Sequence, residues 1–97
     1  MSKPSTYYRL IDLADSIAQI YGITCKDVIS TKVSCGKDVT THKIRRARSI
    51  FVYWAKFKYR IDNNYLMELL GINKQSSLYL WYERGMEYST ELKLDYR

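Results

Sequence analysis

A chain of 97 residues can build one modest core and is too short for a large catalytic cleft. Its apolar and charged fractions, 46% and 27%, are those of a soluble globular chain, and no apolar run approaches the ~20 residues that span a bilayer. Net charge is +6 and unevenly placed: Lys26 to Arg60 holds ten Lys or Arg against Asp27 and Asp38, while the remainder holds six basic and eight acidic side chains. A basic block between near-neutral flanks is the footprint of a polyanionic partner. A merely solvated basic face is the alternative.

The opening MSKPSTYYRL lacks the apolar run of a signal peptide, so the chain is expected in the cytoplasm. Residues 1–5 read as a frayed tail, with Pro4 ahead of the first helix and Ser5 or Thr6 as its cap. Leu10, Leu13, Ala14, Ile17 and Tyr21 recur at three and four, which predicts an amphipathic helix to about Tyr21. Ile11 and Ile20 widen its stripe, and Gly22 ends it. A short second helix is expected between Ile23 and Ser30, capped by Thr24, with Val28 and Ile29 reaching the core.

Ser30 to Lys43 mixes Ser, Thr, Gly, Lys and Asp without helical period and reads as a loop. Its lysines make it a candidate arm toward a phosphate backbone or a minor groove, Lys37 above all; simple surface disorder is the alternative. Two cysteines are too few for a disulfide framework, and Cys25, Cys35 and His42 make a poor zinc site. No metal or cofactor is expected, and Cys25 reads as a buried thiol.

Thr40 or Thr41 can cap a third helix running to about Tyr59. Ile44, Ala47, Phe51, Trp54 and Ala55 share one face of it. Arg45, Arg48, Lys56 and Arg60 lie along the neighbouring side, with Arg46 further round. Such a stripe, with Lys43 at its start, suits the gripping of phosphates.

The segment DNNYLMELLGINKQSSLYLWYER, Asp62 to Arg84, predicts a helix, a tight turn and a second helix. Asp62 is a good N-cap, Leu66, Leu69 and Leu70 share a face, and Gly71 stands where the helix must stop. Asn73 can cap the next helix, whose apolar face holds Leu78, Trp81 and Tyr82. A helix-turn-helix presents small polar groups at the start of its second helix. Lys74, Gln75, Ser76 and Ser77 suit base reading there: Lys for guanine, Gln for adenine, Ser for either. An ordinary helical hairpin with a solvated end is the plain alternative. Glu83, Glu87 and Glu91 then form an acidic outer face, so only the tip of that helix suits DNA. The end of the chain, 89–97, reads as a flexible or extended tail, within which ELKLDYR alternates apolar and polar. The ten tyrosines, scattered over every helix, read as packing rather than a stacking platform.

Four segments resemble the C-terminal DNA-binding domain of the bacterial replication initiator DnaA: IAQIYGITCKDVIS, IRRARS, FVYWAK and LLGINKQSSL. The last is similar to that family's FGGRDHTTV, with Gly71 on a glycine and Gln75, Ser76 and Ser77 on His, Thr and Thr. The resemblance covers Ile17 to about Glu87 and needs no gap between Ile44 and Leu78. It implies an all-α domain with a helix-turn-helix, like Trp repressor, and double-stranded DNA as partner. It also puts Arg48 and Lys56 on DNA-contacting positions. Lys74 and Gln75 replace the family's Asp-His pair, so its target sequence is not implied. The loop after Ser30 is longer and lacks the family's Arg cluster. No GxxxxGK[ST] loop is present, so the chain is not expected to act as an initiator by itself.

The expected function is therefore sequence-specific binding of double-stranded DNA without catalysis, in transcription regulation or as a replication accessory factor. A homodimer on a palindrome would add affinity by symmetry. The alternative is an interaction module that binds or blocks a replication or transcription protein through the tyrosines, Trp81 and the acidic helix. Enzymatic chemistry has little support: His42 is the only histidine and has no nucleophile or paired acid at suggestive spacing.

Overall fold

The computed structural model describes residues 3–29 and 39–91, with side chains for 7–29 and 41–90. Five helices follow in order: α1 (Lys3–Tyr21), α2 (Cys25–Val28), α3 (Val39–Phe57), α4 (Asn63–Leu70) and α5 (Gln75–Glu91). Among the described residues the regular structure is all helical, and none of these helices is long and apolar enough to cross a membrane.

Helix α1 buries Leu10, Leu13, Ala14, Ile17 and Ala18; Ile20, expected in the same stripe, is exposed. The helix begins at Lys3, so residues 3–5 are not a tail. Pro4 is tolerated inside the first turn because its missing N–H has no intrahelical partner there. At the other end Gly22 adopts φ 70°. Gly22 N donates to Gln19 O and Ile23 N to Ala18 O, which closes the helix and turns Ile23 toward the core. Gly71 closes α4 the same way, at φ 68°, with Gly71 N on Glu68 O and Ile72 N on Met67 O.

The two short helices are capped as their sequences predict. Thr24 accepts from Asp27 N while Asp27 accepts from Thr24 N, a reciprocal box at the start of α2. Asp62 accepts from Asn64 N at 3.1 Å to begin α4. Helix α5 differs from expectation at both ends. Lys74 O, not Asn73, accepts the first helical bonds, from Ser77 N and Leu78 N. At the far end the helix runs to Glu91, so residues 89–91 are helical rather than extended. Ser89 is buried and accepts from Trp54 Nε1 at 3.3 Å, which ties that last turn to α3. Residues 92–97 lie outside the described residues.

Helix α3 is the centre of the molecule and packs against α1, α2 and α5. It begins at Val39, so the stretch read as a loop to Lys43 is already helical there, and Thr41 is buried rather than capping. Every residue from Ala47 to Val52 is buried, as are Trp54 and Ala55. A helix covered on all sides cannot carry a continuous solvent-facing stripe.

Helix α5 crosses α3 at Gly85, along a buried line of Leu78, Tyr82, Gly85 and Ser89. A Cβ at Gly85 would stand 2.1 Å from Ser49 O and 2.6 Å from Tyr53 Cβ. The absence of a side chain therefore lets the two backbones meet. Gly85→Ala is expected to lower stability by about 1–3 kcal/mol through overpacking, read from the midpoint of urea unfolding.

Tyr82 joins α5 to α4: its hydroxyl donates to Asn63 Oδ1 at 2.6 Å. Burial, then Tyr79 and Asp62 nearby, pushes this phenol up to about 12. An unfolded tyrosine ionises near about 10. The folded state therefore keeps a proton that the unfolded state loses, and its stabilisation, complete below about pH 10, is lost as pH rises through about 12. Tyr82→Phe should cost about 1 kcal/mol at pH 7 and flatten the fall in stability between about pH 10 and 12, followed by urea unfolding across that range.

Candidate functional site

The side of α3 predicted to carry the basic stripe is the side on which α5 lies. The crossing at Ser49 and Gly85 divides that stripe. On its N-terminal side, α3 and α5 enclose a groove of about 550 Å³. Helix α3 supplies His42, Arg45, Arg46 and Ser49 at spacings of three, one and three, one helical face. Helix α5 supplies Ser77, Leu80, Trp81, Arg84 and Tyr88 along its facing side. A shallower hollow of about 420 Å³ adjoins it, lined by Arg48, Leu70 to Lys74, Ser77 and Trp81. Ser77 and Trp81 border both.

Arg45, Arg46 and Arg84 give the groove three guanidinium groups, and among its lining residues there is no carboxylate. A concave wall of one sign focuses field and concentrates counter-charge. Arg46 is held over the Tyr88 ring at 5.1 Å, which fixes one cation at the rim. The hydroxyl of Ser49 is turned back to Arg45 O at 2.8 Å and so faces the helix rather than the groove. Glu83 and Glu87 are exposed on α5. They make the outer side of α5 acidic beyond its first turn.

At that start Lys74, Gln75 and Ser76 are exposed and Ser77 is half-buried. Ser77 lines the groove that holds the arginines and Lys74 the adjoining hollow, with Gln75 and Ser76 on the surface beside them. The other expected phosphate groups are not gathered there. Lys43 is exposed but about 160° round α3 from Arg45, at 100° per residue. Lys56 is half-buried beyond the crossing, about 16 Å of helix rise from Arg45. Arg60 sits in the turn before α4 with φ 55°, exposed and also outside both hollows. Lys37 falls outside the described residues.

Arg48 requires a correction. It is 1% exposed, in the buried band of α3, and cannot reach a phosphate. Its Nη1 donates to Val28 O at 3.3 Å and its Nη2 to Leu70 O at 2.7 Å. Those carbonyls end α2 and α4, where helices leave acceptors without intrahelical partners and the helix dipole is negative. The guanidinium also lies 5.3 Å from the Trp81 ring centre. Burial pushes its pKa down to about 10, so the group remains charged at neutral pH. The sequence held the signal. Arg48 is four residues from Ile44 and Val52 and seven from Ala55, which puts it inside the apolar face.

Two basic groove residues lie outside the site that the sequence predicts. His42 was placed in a loop but belongs to α3. Arg84 closes the segment singled out above, and its spacing of seven from Ser77 marks it as sharing that face. Away from the groove, Cys25 is half-buried and its Sγ donates to Ile11 O at 3.7 Å. Burial, then Asp15, pushes that thiol up, which makes it a poor nucleophile. Among the described residues no group of three or more His, Cys, Asp or Glu could hold a metal ion.

Compared with known proteins, the chain matches no family model, no curated protein and no solved structure.

The two arginine roles separate on substitution. Arg48→Lys, which cannot span both carbonyls, should cost about 1.5–3 kcal/mol in urea unfolding. Arg84→Ala, at the exposed groove wall, should stay within about 0.5 kcal/mol of the parent in the same measurement.

Proposed function

We propose that this chain is a small double-stranded DNA-binding protein, sequence-specific and without catalysis, serving transcription regulation or replication as an accessory factor. In this reading α4, the Gly71 turn and α5 form a helix-turn-helix of the kind shared by Trp repressor and the DNA-binding domain of DnaA. The tip of α5, Lys74 to Ser77, reads base edges. Arg45, Arg46 and Arg84 hold phosphates and set the register of that tip.

One observation carries the reading. Lys74 and Ser77 at the start of α5 and the arginines of α3 and α5 border two adjoining hollows that share Ser77 and Trp81, with no carboxylate among their described lining residues. Catalysis finds no comparable support, since among the described lining residues the groove's histidine has no carboxylate or thiol beside it.

A second reading, a protein-interaction module or a self-association surface, rests on a different feature. Tyr53, Phe57, Tyr82 and Tyr79 form a row of touching rings across α3 and α5, with centroids 4.9, 6.2 and 5.8 Å apart. Phe57 is 55% exposed, and Met86 is exposed one heptad after Tyr79. Aromatic side chains and methionine are enriched at protein interfaces.

Selection of bound duplexes from a random pool, followed by titration, tests the first reading. Gln75→Ala should cost about 1–3 kcal/mol on the selected site and relax its sequence preference. Arg45→Ala and Arg84→Ala should each weaken all duplexes alike and reduce the salt slope by about 1. No duplex binding at about 50 mM salt would remove the reading. A stable protein complex that tolerates salt and charge reversal at Arg45 and Arg46 would favour the second.

A further inference from the structure

A duplex presents a convex, rigid surface, and its phosphates can meet only the rim of a concavity. The groove between α3 and α5 is deeper than that contact needs. Its volume of about 550 Å³ lies within the ~300–1,000 Å³ range of small-ligand sites. Its lining is also of two kinds. Arg45, Arg46 and Arg84 suit an anion, whereas Leu80 and the ring faces of Trp81 and Tyr88 offer apolar surface that a phosphate does not use. Leu80 is 55% exposed here, an apolar side chain left in water beside three cations.

The aromatic wall is held in place before any ligand arrives. Trp81 has the Arg48 guanidinium 5.3 Å from its ring centre, and Arg48 is fixed by two carbonyls. Tyr88 carries Arg46 over its ring at 5.1 Å. A ring entering beside Trp81 would therefore meet a side chain with little rotamer freedom left to lose. A guanidinium is planar and presents paired donors that match phosphate oxygens, so a phosphate beside these arginines can be gripped bidentately.

We propose that this groove binds a nucleoside phosphate, with its phosphate on Arg46 and Arg84 and its base against Trp81 and Leu80. The groove's cations, with no carboxylate among its described lining residues, favour the doubly charged phosphate over a lone carboxylate, and the apolar wall favours a planar base over inorganic phosphate. The same chemistry reaches the groove from two sources: a free mononucleotide, or an unpaired nucleotide in a DNA strand. The inference shares its arginines with the duplex reading but stands on the groove's depth and aromatic wall. It can hold where duplex binding fails, and the reverse.

Titration of the ¹⁵N-labelled full chain with adenosine monophosphate, adenosine and inorganic phosphate tests it. The monophosphate should shift the Trp81 indole resonance and the amides of 77–88, and bind at least about tenfold more tightly than either part alone, since both halves of the site are then engaged. Arg84→Ala and, separately, Leu80→Asp should each weaken it about tenfold or more while the remaining amide resonances hold their positions, which separates lost binding from lost fold. No shift at ~10 mM monophosphate, or equal binding of monophosphate and inorganic phosphate without response at Trp81, would overturn the proposal. Parallel titrations use a blunt duplex and the same duplex with one extrahelical adenosine. Tighter binding of the second identifies an unpaired nucleotide as the source; equal binding, with the free monophosphate still bound, identifies the free nucleotide. Absence of blunt-duplex binding beside intact monophosphate binding removes the duplex reading alone.

Discussion

The fold turns on one buried cation. Arg48 projects from the centre of α3 and donates to the last carbonyl of α2 and the last carbonyl of α4, with Trp81 of α5 beside it. One side chain thus connects four of the five helices. A buried charge without partners would be strongly destabilising. Here the partners are acceptors that would otherwise end two helices unsatisfied in the interior. The two terminal nitrogens of the guanidinium meet those acceptors, and the outcome is a fixed distance between the end of α4 and Trp81 of α5.

That fixed distance links packing to the candidate site. The hollow at the start of α5 is bounded by Arg48, by the Gly71 turn and by Trp81, all held through the same guanidinium. The larger groove begins on the other side of Trp81. The solvent-facing arginines lie on a scaffold whose angles are set by a different, interior arginine. A basic block in a sequence therefore mixes two kinds of residue. Arg45, Arg46 and Arg48 look alike in the chain, yet only the first two reach the groove.

Local chemistry was legible. Thr24, Gly22, Asp62 and Gly71 mark helix ends because caps and left-handed turns depend on a few neighbouring atoms. The apolar faces of α1, α3, α4 and α5 follow from periodicity for the same reason. What was not legible depends on partners far along the chain. The divided stripe on α3 reflects where α5 crosses, and neither helix specifies that alone. Ser89 reads as the start of a polar tail until Trp54 is found opposite it. Arg48 lay between: its angular position was readable, but its charge argued for the surface, and only the two distant carbonyls reverse that argument. Of the groove, its α3 arginines and Ser77 were foreseen; Arg84 and His42 emerged once α5 was laid across α3.

The bare backbone at Gly85 also decides which alternative packings are closed to this sequence. A slide of α5 by one turn would bring Trp81 or Tyr82, or else Tyr88 or Ser89, to the point where Ser49 O leaves no space for even a methyl group. The helix therefore has a single permitted phase against its neighbour. Ambiguous pairings of two amphipathic rods are a common route to ill-defined cores, and one missing side chain excludes them here.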